Sequence, residues 1–430
     1  MTGNRETSRV SFSRSVAQAA LRSPPIAPFH VRSFRFQFPA DLLTSWGGEM
    51  ENVILGWYIL GATGSVLLLT LFASLQYFGT LLAPMIGLGG DRLGHRTVLC
   101  AMRAVYASIA VAIAMLTFGG RLSPMVVFLL AAMAGLVRPS DLAMRAALVA
   151  ETMPTDRFVG VMGASRITSD AARIAGPLAG AALYATLGMA PAYVVIAVVY
   201  LIGFLLTLGT GAPRRFTQAP PAFAFWRDMR AGIAYVWADA ASLAALLLAF
   251  LVNFTAYPLS TGLLPFVAQN IYHVDQTGLG YLVASFATGS LLGSVIVSLA
   301  GRAIRPARMM LGFALAWYAM LLVFVQMPDA AHGRAALVLA GLAQNLSLVP
   351  MSVLLLYGAD QHFRGRVMGL RMMAIYGLPL GLLLAGAMID RIGFAMANTL
   401  LATVGAALTL AIGLRWRAAL WHREAPANAQ

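Results

Sequence analysis

Apolar residues fill the chain in long runs, separated by short polar or turn-forming segments. The runs fall at about 39–61, 66–88, 98–118, 123–147, 162–187, 190–210, 242–268, 278–300, 307–327, 335–358, 367–389 and 394–414. Each is near 20 residues or longer, enough for a helix rising ~1.5 Å per residue to cross ~30 Å of hydrocarbon. Turn residues punctuate them at Gly61–Ser65, Gly119–Gly120, Gly188 and Pro328–Gly333. Backbone amides in lipid must be satisfied within their own segment, so the pattern predicts an all-α membrane protein of twelve transmembrane helices.

The pattern also repeats. Val161-Met162-Gly163 recurs as Val367-Met368-Gly369, and Leu178-Ala179-Gly180-Ala181 as Leu384-Ala385-Gly386-Ala387, both at an offset of 206. Gly79-Thr80-Leu81-Leu82 recurs as Gly289-Ser290-Leu291-Leu292 at an offset of 210. Two pseudo-repeated six-helix halves are therefore expected, at 38–210 and 242–414, joined by a linker at 211–241. An arginine-rich extension at 1–37 and a tail at 415–430 complete the division. In the linker, Phe225, Met229, Ile233 and Val236/Trp237 recur at helical spacing beside Arg227, Asp228 and Arg230, which suits a helix lying on the membrane face.

Composition strengthens this picture and excludes several chemistries. Only 11% of residues are charged and 60% are hydrophobic, where a soluble domain carries about 25% charged residues. All 30 basic residues are arginine. Without lysine there is no Walker A phosphate loop and no Schiff-base amine. The single cysteine, Cys100, permits neither an internal disulfide nor a cysteine metal cluster. The six histidines (30, 95, 273, 332, 362, 422) fall in tails or loops. No metal, no cofactor and no enzymatic activity are expected.

The net charge of +14 could suggest a nucleic-acid partner, but its distribution argues otherwise. With the N-terminus inside, 21 arginines fall on inner segments, 3 (121, 334, 391) on outer loops and 6 within or at the edge of spans. That bias predicts both termini in the cytoplasm and an even number of spans. The first 35 residues lack the apolar core of a secretory signal. They read as a cytoplasmic extension, with an arginine- and serine-rich transit peptide as the alternative.

The strongest local motif follows the second span: Gly87-Leu88-Gly89-Gly90-Asp91-Arg92-Leu93-Gly94-His95-Arg96. It resembles the G-x-x-x-D-R-x-G-R-R signature loop of the major facilitator superfamily, with His95 where an Arg or Lys is usual. The resemblance implies the major facilitator fold, two six-helix halves with a substrate site between them near the midplane. It also implies that Gly87, Asp91, Arg92, Gly94 and Arg96 form a conformational gate. In the fifth span Gly176, Pro177 and Gly180 resemble the superfamily's G-P-x-x-G motif, associated with antiporting exporters; kinked small-residue packing is the alternative. Arg35-Phe36, Leu55-Gly56-Trp57-Tyr58, Thr63-Gly64-Ser65, Arg138-Pro139, the linker run from Trp226 to Tyr235, and Arg364 to Gly369 resemble one branch. It is that of enterobactin-type siderophore exporters and macrolide efflux pumps, the transmembrane secretion effectors.

Ionisable residues inside a bilayer are candidate functional groups. On the first span Asp41, Ser45, Asn52, Gly56 and Ile59 share one face. Glu49 lies beside that stripe and Glu51 well off it, so both are proton-coupling candidates and Glu49 is the better placed. Structural pairing with a neighbouring arginine is the alternative. The fourth span carries Arg138, Asp141 and Arg145 on one face, and the fifth Arg166, Asp170 and Arg173. Matching depths on antiparallel helices predict the pairs Arg138–Asp170 and Asp141–Arg166, with Arg145 and Arg173 in surplus; a gate, or a contact to an anionic substrate through a surplus arginine, is the alternative. In the second half Asn253, Tyr257, Gln344 and Asn345 are candidates for lining a cavity for an amphipathic ligand, with helix–helix packing the alternative.

These readings converge on a monomeric secondary active transporter of the bacterial inner membrane. Its expected partners are a small-molecule substrate, protons and the lipid bilayer, and its expected work is proton-coupled export of a siderophore- or drug-like compound. An importer on the same fold, or a scaffold or sensor without flux, are the rival readings.

Overall fold

The computed structural model describes residues 27–154, 158–211, 222–300, 305–360 and 362–422. The N-terminal tail before residue 27, the arginines at 157, 214, 215, 302 and 423, and the side chain of Asp91 lie outside the described residues.

Helix α1 (Arg32–Thr63) leads into α2 (Val66–Leu75) and α3 (Ala83–Leu93), then α4 (His95–Phe118), α5 (Pro124–Thr152), α6 (Phe158–Leu187) and α7 (Met189–Leu208). The linker helix α8 (Ala222–Ala238) precedes the second half. That half holds α9 (Ala240–Thr255), α10 (Gln276–Ala300), α11 (Pro306–Val325), α12 (Ala330–Gly358), α13 (Arg364–Met373), α14 (Gly377–Ile392) and α15 (Phe394–Arg415), with α16 (Arg417–His422) at the end. Among the described residues, nine helices can cross a membrane on length and composition alone. The remaining crossings are α1 and α6, which carry ionisable residues, and the broken pair α2–α3. Twelve crossings place the start of α1 and the end of α15 at one end of the bundle, here the terminal end.

Three crossings depart from regular helix. The second breaks between Leu75 and Ala83, where a short 3-10 segment, Phe78–Leu82, intervenes. The seventh loosens after Thr255 into wide π-type turns at Pro258–Gly262 and Val267–Ile271. There Pro258 and Pro265 supply no amide to the helical ladder. The eleventh narrows at Ala374–Tyr376 between α13 and α14. The first crossing starts at Arg32, inside the segment read from sequence as an extension. The cause is packing: the rings of Phe29, Phe34 and Phe38 lie 5.0–5.7 Å apart and pack against Val149, Met153 and Val161.

The repeat seen in the sequence reappears as matched backbone approaches. Gly135 of α5 meets the Leu75 carbonyl, and Gly341 of α12 meets the Phe286 carbonyl. Gly79 lies against the Leu136 carbonyl, and Gly289 against that of Val338. A methyl group at any of these four positions would collide with backbone, so small residues set how closely the helices pack. Gly176 and Gly180 let α6 lie on Trp46, Glu49 and Met50 of α1, as Gly377 and Gly381 let α14 lie on Phe250 and Phe254 of α9.

Candidate functional site

The first half holds two buried charge networks, both centred on α1. Towards the terminal end, Asp41 pairs with Arg103 of α4 and lies 3.6 Å from Arg145 of α5. Arg103 also donates to Thr207 of α7, and Arg145 donates to Ser45 at 2.8 Å and pairs with Asp141 one turn back. Nearer the middle, Arg138 donates to Glu51 at 2.7 Å, to Asn52 at 2.7 Å and to Gln76 at 2.6 Å. The Tyr200 hydroxyl donates to the same Glu51 oxygen at 3.1 Å. Tyr200 reaches it because its ring lies over Gly47, where a side chain would collide with it. The break after α2 is what points Gln76 at Arg138.

The predicted pairs between the fourth and fifth spans do not form. Arg138 takes Glu51 instead of Asp170, and Asp170 takes Arg166 of its own helix at 3.1 Å. Asp141 likewise pairs within its helix, with Arg145. The reason is packing: α1 lies against both α5 and α6, while those two barely touch. The arginines therefore reach the carboxylates of α1 or those on their own helix.

Glu49 is different. It is half-buried against Gly176 of α6, and no hydrogen bond or ion pair within 4 Å joins it to a described residue. Arg173 is the cation acting on it most strongly, followed by Arg138. Arg173 is exposed although it sits in the middle of α6. The groups that act on it come from four places: Glu49 of α1, Tyr257 at the end of α9, Tyr77 in the α2–α3 break and Asp170. Tyr257 in turn faces Gln344 of α12 and Arg371 of α13. These residues face one another between the two halves.

The other candidates fall partly outside this meeting point. Tyr257 and Gln344 belong to it. Asn345 does not: it is 6% exposed and donates to the Ser290 carbonyl and hydroxyl. It fastens α12 to α10, the polar packing role that sequence alone could not separate from cavity lining. Asn253 donates to the Ala249 carbonyl of its own helix at 2.8 Å. Gly87 to Leu93 continue α3, and Gly94 (φ 90°) makes the turn into α4. There His95, the departure from the signature, bonds Glu151 of α5 at 2.6 Å, and Arg96 donates to the Leu208 carbonyl. Sequence reasoning noted Asp41, and counted Arg103 and Arg371 among the six arginines within or at the edge of spans, without pairing them; it missed Gln76, Tyr77 and Tyr200. Nothing in the local pattern marks these three, because each is recruited by a helix distant in sequence.

The halves meet at the end opposite the termini. Gly56 lies against Pro265, Thr70 against Gly386, and Ala181 against Gly280, at similar depths in six helices. Ser74 donates to the Pro379 carbonyl at 3.1 Å and Gln269 to that of Trp57 at 3.2 Å. Towards the terminal end, α6 still touches α10, with Arg166 3.4 Å from Ser294. There α5 and α12 make at most slight contact. Among the described residues, the bonds and close approaches between the halves thus gather mainly at the end opposite the termini.

This architecture is that of a transporter rather than an enzyme, and the comparisons agree. Residues 38–379 match the sequence profile of the Major Facilitator Superfamily, and the chain belongs to that family. No curated protein matches it in sequence. Solved structures share its fold at low identity. A point mutant of the nucleoside transporter NupG superposes with a TM-score of 0.66 at 14% identity, covering 89% of this chain and 99% of that one. A D-xylose-proton symporter gives 0.68 at 11%, covering 88% and 96%. The human organic anion transporter MFSD10 gives 0.62 at 18%, covering 91% and 100%.

Proposed function

We propose that this transporter exports an amphipathic small molecule, of siderophore or drug class, in exchange for protons, and that Glu49 carries the proton. One observation carries the reading. The membrane-embedded carboxylates Asp41, Glu51, Asp141 and Asp170 each hold an arginine, whereas Glu49 has no ion pair with a described residue and stands between the halves, next to Arg173. A paired carboxylate is locked in its charged form; an unpaired one beside a solvent-reached cation can take up and release a proton as access alternates. Antiport requires proton and substrate to exclude each other, and a cationic group on the substrate does so directly at Glu49.

The 21-to-3 arginine bias supports a cytoplasmic terminal end, which puts most contacts between the halves on the outer side of the inner membrane. In this reading Gly87, Asp91, Arg92, Gly94 and Arg96 hold the inner gate when it closes. Gly176, Pro177 and Gly180 keep α6 against α1 while it does so, and the protein works as a monomer. Export rather than import rests on the branch resemblance.

The test is transport of a panel of cationic and zwitterionic amphipathic compounds in everted vesicles, with and without a proton gradient. Glu49→Gln is expected to abolish gradient-driven accumulation while leaving substrate exchange at equal concentrations. Gradient-driven transport at the wild-type rate by Glu49→Gln would overturn the assignment. Substrate movement only in right-side-out vesicles would reverse the direction.

A further inference from the structure

Far from the charged centre, a cleft of about 540 Å³ opens at the terminal end of the second half. It lies between α11 and α15 and is roofed by α16. Leu311, Leu315, Leu410 and Leu414 form its apolar walls, and Arg417 and Trp421 close its rim. Leu410 and Leu414 are 52% and 71% exposed on the helix side turned away from the core, so the cleft faces the bilayer. Its depth comes from Gly413, whose missing side chain would otherwise meet Leu311. Leu420, fully buried, pins α16 in place.

Among the described residues, the three helices that line this cleft carry Arg308, Arg415 and Arg417 and no acidic residue. Arg308 stacks on the Trp421 ring at 5.7 Å and Arg415 on Trp416 at 5.7 Å. Arg417 stands on the rim itself. The cleft thus offers an apolar slot running into the hydrocarbon, with guanidinium groups and indole rings at the level where α15 ends. Indoles favour that interfacial level, and guanidinium groups there attract anionic headgroups.

We propose that the α11–α15–α16 cleft is a binding site for one anionic phospholipid. An acyl chain fills the leucine slot, and the phosphate sits between Arg417 and Arg308. The volume is within the range of small-ligand sites, about 300–1,000 Å³. A zwitterionic lipid fills the same slot but gains less at the rim, where each arginine favours an anionic headgroup by about fivefold. Placing that lipid in the cytoplasmic leaflet rests on the orientation proposed above; the site itself does not.

The test uses the full-length protein in nanodiscs of equal phosphatidylglycerol and phosphatidylethanolamine, released into native mass spectrometry. The wild type should retain one phosphatidylglycerol in preference to phosphatidylethanolamine. The double variant Arg308→Gln/Arg417→Gln should keep a bound lipid but lose the headgroup preference. Gly413→Phe, which fills the slot, should lose the retained lipid altogether. Thermal unfolding in detergent checks that each variant is folded, and Leu315→Trp, which narrows the slot from α11, serves if Gly413→Phe is not. Equal retention of both lipids by the wild type would overturn the proposal. So would an unchanged preference in the arginine variant, or undiminished retention in the folded slot-filled variant.

Discussion

At the scale of single residues, the fate of each charge depends on whether its partner lies on another helix. Glu51 is 4% exposed and joins Arg138 to Tyr200 across three helices. Removing its carboxylate strands a guanidinium inside the bundle, at a cost of about 3–5 kcal/mol. Glu51→Ala should therefore lower the unfolding temperature of the detergent-purified protein markedly. The Glu51→Ala/Arg138→Ala double variant should recover much of that loss, and strictly additive losses would show that the two residues do not couple. Asp170 is the contrast. Its side chain is buried, but its partner Arg166 sits one turn away on the same helix with a side chain 54% exposed, so the arginine left behind stays solvated and the loss is about 0.2–1 kcal/mol. Asp170→Ala should barely move the same melting curve.

At the scale of elements, glycine decides how helices approach. Gly180 places α6 so close to α1 that a Cβ there would lie 2.7 Å from the Met50 Cα. Leucine at 180 must push the helices apart, and forced overpacking of this kind costs about 1–3 kcal/mol or more. The displaced α6 also moves Arg173 away from Glu49. Gly180→Leu is expected to lower both the unfolding temperature and gradient-driven transport, whereas Gly61→Leu, with open space around it, should leave stability unchanged. Comparable melting of the two variants would mean that the motif's glycines are not packing devices. The breaks in the second, seventh and eleventh crossings belong to the same scale. They bring Gln76, Tyr77 and Tyr257 to the middle of the bundle, which straight helices would not do.

At the scale of the whole molecule, the bonds between the halves gather mainly at the end opposite the termini. Thr70 and Gly386 are placed so that cysteines at both positions would bring their Cβ atoms to roughly disulfide distance. In a background lacking Cys100, the Thr70→Cys/Gly386→Cys protein should crosslink on mild oxidation. The oxidised form should hold the halves closed opposite the termini and stop transport, and reduction should restore it. Oxidised protein that transports at the reduced rate would show that this contact does not open during the cycle.

Much of this architecture is written in the sequence because the bilayer imposes it locally. Runs of some 20 apolar residues must be helices in hydrocarbon, and two internal offsets reveal the repeated halves; these signals need no knowledge of neighbours. The candidate carboxylate and the excess arginines were legible for the same reason, since a charge in an apolar run stands out wherever it points. Partnership was not legible. Arg138 with Glu51, Asp41 with Arg103 and Tyr200 over Gly47 are each decided by where α1, α4, α5 and α7 lie against one another. Asn345 could not be told from a cavity residue until Ser290 was seen beside it. Helical spacing fixes which face a side chain takes, but only tertiary packing supplies what that face meets. Pairing energies therefore arise between segments that share nothing in sequence but depth in the membrane.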